Sequence, residues 1–207
     1  MACAGAIWPA AQAAAQALVA PSAIVLHVHA GIADTGFVAP LERILAQRLA
    51  PPLRIVPSTL DLAPLRARTG PSEADPLLRA FFNATHDRAD PTAMHVLLTA
   101  QDIRLPPARF NFAVTSGGRD AGYRAMVVSL ARLQVRGVFG RHDEDNLRTA
   151  MRVARMVVKN TARAAGLLDS TLCVMGFPGS LAELDAMPEG FCEPDLARLA
   201  EAGIARR

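Results

Sequence analysis

Short runs of Ile, Val, Leu and Met alternate along this chain with stretches of helical spacing, and that alternation dictates a sheet with helices packed on it. Residues 23–30 (AIVLHVHA) are apolar and β-branched between Pro21 and Gly31, as a buried strand requires. Residues 37–49 put Val38, Leu41, Ile44, Leu45 and Leu49 on one helical face, and Pro51-Pro52 stops that helix. A second strand is predicted over 52–59, a surface loop over 61–75, a helix over 75–86 and a third strand over 94–99 (MHVLLT). Two further strands, 110–114 and 125–133, are joined by the turn-rich 116–122. The order strand, helix, strand, helix, strand, strand, strand gives a mixed sheet and the α+β class.

The character changes after Asp143. Residues 146–165 form one long helix with Leu147, Met151, Ala154, Val158, Thr161 and Ala165 on a single face, closed by Gly166. Gly176, Pro178, Gly179, Pro188 and Gly190 then mark an irregular segment, and a last helix is predicted over 194–202. Three parts follow: an apolar extension (1–20), a sheet-plus-helix unit (21–166) and a small irregular C-terminal lobe (167–207). With 207 residues, 51% of them hydrophobic and 20% charged, the chain can bury a substantial core unaided, which excludes disorder and a disulfide scaffold.

All 22 basic residues except Lys159 are arginine, and they are scattered rather than gathered into a stripe, so no nucleic-acid partner is expected at a net charge of +3. Residues 1–20 are apolar and alanine-rich, but Pro9 interrupts them and the first basic residue is Arg43. They therefore read as a docked or frayed extension rather than a leader or a membrane span. Three cysteines, Cys3, Cys173 and Cys192, suit a reducing compartment, and the cytoplasm is the expected location. His27 and His29 share one face of a strand, while His86, His95 and His142 stand apart; all five read as core or surface histidines.

The segment from about Met94 to Leu199 resembles the archaemetzincins, zinc metallopeptidase-like proteins of the metzincin group. The resemblance is carried by 96–102 (VLLTAQD), Asn111-Phe112-Ala113-Val114, Gly118-Arg119, 125–133 (AMVVSLARL), Gly166-Leu167, Cys173-Val174-Met175, 180–185 (SLAELD) and Phe191-Cys192. It implies a metzincin-like fold with a long active-site-type helix, and an edge strand at 125–133 whose Val128, Ser129 and Leu130 would bind an extended peptide together with Lys159 and Arg163. Met175 would be a core residue beneath the site.

The zinc signature of that family, HExxHxxGxxH, is absent. Aligned on Gly166 and Met175, Lys159 and Arg163 stand at the first two histidines, Asn160 at the glutamate and Asp169 at the third histidine. A guanidinium cannot deprotonate and a lysine ammonium offers no lone pair, so no zinc is expected there. Asn160 cannot move a proton near neutral pH. An Arg163–Asp169 ion pair, with Lys159 beside it, is the expected replacement for the metal. The family's second zinc site, of four cysteines, becomes Ser170, Cys173, Cys192 and Asp195, where free thiols come first, a disulfide second and weak zinc binding third. The resemblance thus implies a non-catalytic member that binds a peptide or partner protein, acidic by preference, in the old cleft. Alternatives are non-zinc chemistry centred on Lys159 and Asp169, a subunit role, or residual zinc peptidase activity.

Overall fold

The apolar runs become strands, with the one predicted over 110–114 lying at 113–116, and five strands share one sheet. In the computed structural model, which describes residues 17–32, 34–86, 90–116, 124–135 and 142–207, β1 (Ile24–His29) and β2 (Leu53–Ser58) pair in parallel. A two-residue β3 (Ser72–Glu73) precedes β4 (Met94–Thr99), which pairs in parallel with β1. β5 (Ile103–Arg104) pairs with β3 away from the main sheet. β6 (Ala113–Ser116) runs antiparallel to β7 (Arg124–Ser129), and the sheet order is β2-β1-β4-β7-β6. The helices are α1 (Val38–Arg48), α2 (Ala74–His86), α3 (His142–Ala164), α4 (Leu181–Ala186) and α5 (Glu193–Glu201).

The sheet is covered on both faces, which is why its central strands are apolar at consecutive positions. Ile24, Leu26, Met94, Val96, Leu98, Met126 and Val128 pack with α1 and α3, whereas Leu97, Ala125 and Val127 pack with Leu77, Leu78 and Phe81 of α2. α3 ends in a Schellman motif: Leu167 N–H donates to Ala162 O (2.9 Å) and Gly166 N–H to Arg163 O (3.0 Å), with Gly166 at φ 111°. Leu167, Val174, Met175, Leu184, Leu199 and Ile204 of the C-terminal segment join the same apolar cluster as α1 and α3. Arg152 of α3, 8% exposed, reaches both Asp185 of α4 and Leu133 O, tying the lobe to the helix. Among the described residues no helix is long and apolar enough to cross a membrane.

The mixed α+β architecture agrees with the sequence reading, with three differences. The loop over 61–75 contains a 3-10 turn (Ala63–Leu65) and β3, and the irregular segment contains α4, whose Ser180 caps Glu183 N–H. The strand over 125–133 is not an edge. β7 stops at Ser129 and lies between β4 and β6, so Val128, Ser129 and Leu130 are 0%, 1% and 1% exposed and cannot receive a peptide. The free edge on this side is β6. Residues 1–16, and 117–123 of the turn between these strands, lie outside the described residues.

Candidate functional site

The last two turns of α3 carry Lys159, Asn160 and Arg163 to the side of the sheet where β6 forms the edge. Lys159 is only 5% exposed. Its ammonium donates to Gly176 O and lies 3.5 Å from the centroid of the Phe177 ring, while the Arg163 guanidinium carbon lies 4.9 Å from the same centroid. A ring face is a weak anionic surface, so one aromatic holds two cations that would otherwise repel. Burial, and then the charge of Arg163, push the Lys159 ammonium down to about 8. Asn160 is spent on the helix itself, its Nδ2 donating to Met156 O at 2.8 Å.

Asp169 corrects the expected ion pair. Its carboxylate accepts from Arg198 of α5 at 3.1 Å, and its side chain is 68% exposed. Arg198 holds that carboxyl below the usual range, behind the larger effect of a local backbone hydrogen bond. At this end of α3 the tie to the lobe is instead Lys159 to Gly176 O together with the shared Phe177 ring. These residues do not fit a zinc ion: the locus offers an ammonium, a guanidinium and an amide that donates, and the one carboxylate is turned away.

Between this cluster and the segment leading into β6 lies an open cleft of about 410 Å³. Arg109, Phe110 and Asn111 form one wall, and Lys159, Asn160 and Phe177 the other. Among the described residues two cations line this space and no carboxylate does. Asn111 is fixed to the backbone through Leu105 N–H and Ile103 O, and Phe110 is backed at 4.3 Å by the guanidinium of Arg132, itself clamped on Asp102. Sequence reading missed Arg109 and Phe177. Phe177 carried a signal, an aromatic flanked by Gly176 and Pro178 in a chain with 5% aromatics.

The four positions of the second locus do converge, in pairs. Cys173 and Cys192 form a disulfide with Cα atoms 5.5 Å apart, which replaces the expected free thiols, and Ser170 Oγ donates to Asp195. Bonded sulfurs are not thiolate ligands, so the Cys173, Cys192, Asp195 zinc site is overturned; among the described residues no group of three or more His, Cys, Asp or Glu could hold a metal. Met175 is 0% exposed beneath α3. His27 and His29 part company: His27 Nε2 meets His95 Nδ1 at 3.0 Å, whereas His29 Nε2 donates to Leu60 O at 2.9 Å. His142 is exposed at the start of α3, and the side chain of His86 lies outside the described residues.

No protein-family model and no curated protein sequence matches the chain. Solved structures do. The archaemetzincin of Methanopyrus kandleri superposes with a TM-score of 0.63 at 20% identity, covering 87% of this chain and 94% of that one. The archaemetzincin of Archaeoglobus fulgidus, solved with malonate, gives 0.58 at 19% identity over 84% and 99%. A zinc-dependent peptidase from Methanocorpusculum labreanum gives 0.57 at 18% identity over 85% and 99%. The chain has the archaemetzincin fold.

Proposed function

We propose that this chain is a peptidase-type scaffold that binds rather than cleaves, taking an extended acidic peptide in the cleft between β6 and α3. The observation that carries this reading is the charge of the cleft: Arg109 and Lys159 line it, Arg163 stands behind Phe177, and no carboxylate among the described residues lines it. A strand edge offers main-chain donors and acceptors to an added strand, and cations beside it select carboxylates. The solved relatives named as archaemetzincins or zinc-dependent peptidase support the scaffold. The side chains at the metal positions support loss of its hydrolytic chemistry.

Fluorescence anisotropy with an acidic peptide and its Gln-for-Glu analogue tests this. The acidic form binds more tightly, EDTA leaves the affinity unchanged, the peptide is recovered intact, and Arg109→Glu weakens binding by about tenfold or more. The sign of the pH dependence is fixed by Lys159: its ammonium, held at about 8, is present at neutral pH and lost above it, so affinity falls as pH rises through about 8. Cleavage of the peptide, or binding abolished by a chelator, defeats the reading.

The same lowered ammonium favours one other reading, in which Lys159 acts as an amine toward a carbonyl compound. Borohydride trapping of an adduct on Lys159 supports it. The orienting role once expected of Asp169 is not available, since Arg198 holds that carboxylate.

A further inference from the structure

A second concavity lies elsewhere. It measures about 750 Å³, within the range of roughly 300–1,000 Å³ that small-molecule sites occupy, and it shares no lining residue with the cleft at Lys159. Its position follows from the topology. From β1 the chain leaves through α1, on one face, to reach β2. From β2 it returns through α2, on the other face, to reach β4 on the far side of β1. Loops that leave neighbouring parallel strands toward opposite faces open a crevice at the carboxyl ends of those strands, and open sheets bind ligands there. His29 at the end of β1, Thr99 and Gln101 at the end of β4, and Asp61, Arg66 and Gly70 of the connection after β2 line this crevice.

Its walls are held in place. His29 Nδ1 accepts from Gly31 N–H at 3.0 Å, which leaves the proton on Nε2 to donate to Leu60 O, so the imidazole pins β1 to the loop after β2. Gln101 Nε2 donates to Leu62 O at 2.9 Å, and Ser129 Oγ donates to Gln101 O at 2.6 Å. Three charged side chains line this frame: Asp102 is neutralised by Arg132, while Arg66 and Asp61 have no ion-pair partner among the described residues and are not paired with each other. The Asp61 carboxylate spends one oxygen on Ala63 N–H. Gln101 Oε1 is buried without a donor, so this wall is short of an N–H or O–H. Leu60 and Leu62 give the crevice apolar surface between the charges.

We infer that this crevice binds a zwitterion of the size of an amino acid or short peptide, its carboxylate on Arg66 and its ammonium toward Asp61. A simple anion meets Asp61 and a simple cation meets Arg66, so only a molecule carrying both charges matches both. The site is independent of the peptide cleft and does not rest on the reading given above.

The test titrates alanyl-leucine into the 15N-labelled full chain and follows the backbone amides of Gly31 and Gly70, both in the cavity wall. Saturable shifts at these amides are expected, weakened about tenfold when the dipeptide is N-acetylated or C-amidated, and by a similar factor in Arg66→Ala and in Asp61→Asn, which keeps the acceptor for Ala63 N–H. Arg109→Glu leaves the titration unchanged. No saturable shift, blocked dipeptides that bind as tightly as the free one, folded variants with unaltered affinity, or loss of the shifts in Arg109→Glu each overturns the proposal.

Discussion

Histidine shows how a single side chain here answers to neighbours that the sequence does not reveal. His27 and His95 sit on adjacent strands, and their meeting depends on the parallel register that sets His27 against Leu97 and Val25 against His95. His95 Nε2 faces Asp90 O and carries its proton there, so its Nδ1 accepts from His27 Nε2 and both rings are neutral in the fold. Burial, and then the neighbouring His95, hold His27 down at about 4, and burial lowers His95 as well. The unfolded chain takes up a proton near 6.5 that the folded chain refuses, so stability falls as pH drops from about 6.5 toward 4. For His27 alone the loss is about 2 kcal/mol by pH 5. Unfolding free energies from urea titrations at pH 7 and pH 5 should differ by at least that amount in the native chain and by clearly less in His27→Gln; equal pH dependence in the two would show that His27 is not held neutral in the fold. Lys159 was legible for the opposite reason. Its identity as the only lysine, and its place relative to Gly166, are properties of the sequence, whereas the turn of Asp169 to Arg198 depends on where α5 docks.

Elements were legible where periodicity is long and obscure where it is short. The 23 residues of α3 and the consecutive apolar residues of β4 announce themselves, while α4 has six residues and β3 and β5 two each, too few to carry a period. The misplaced edge has a specific cause: an apolar run shows that a strand is buried but not which strands flank it. The run 125–128 is uninterrupted, which suits a strand covered on both faces, and β6 (AVTS) has the polar residues of an edge. After α3 the lobe is held by a disulfide spanning 19 residues between Cys173 and Cys192, beside the Ser170–Asp195 hydrogen bond. Closing a loop of that length removes conformational freedom from the unfolded chain, so Cys173→Ser with Cys192→Ser should lower stability by about 3 kcal/mol, and a reductant should do the same to the native chain and nothing to the variant. Denaturation with and without dithiothreitol reads both. Indifference of the native chain to reductant would mean that the sulfurs are not bonded in solution. A disulfide that persists favours an oxidising compartment over the cytoplasm that the cysteine count suggests.

At the scale of the whole molecule, one architecture sets two concavities at different places: a cleft where the sheet ends at β6, and a crevice at the carboxyl ends of β1 and β4, beside the diverging connections of β1 and β2. Alternation of strands and helices made the α+β class readable, and ordered motifs made the archaemetzincin fold readable. Strand order was not encoded in any local pattern, so the cleft at Lys159 was expected against the wrong strand and the crevice was not visible beforehand. Fold does not settle chemistry, which belongs to the side chains grafted on it. Those at the metal locus make a prediction about the entire chain, because any ligand that binds only the folded state raises its stability by mass action, by about 2.7 kcal/mol at a hundredfold excess over the dissociation constant. Lys159 is committed to Gly176 O and Phe177, Asn160 to Met156 O, and Asp169 to Arg198, so this locus presents zinc with no donor set. The melting midpoint of the native chain should therefore move with neither added zinc nor EDTA. Lys159→His combined with Arg163→His supplies two imidazoles one helical turn apart, yet the third position, at Asp169, remains 68% exposed and bonded to α5. Two nitrogens without a third firm ligand make a weak site, so zinc should shift the midpoint of this variant far less than a three-ligand site would. Stoichiometric zinc in the native chain, or a midpoint that drops in EDTA, would place a metal where these side chains leave no room for one.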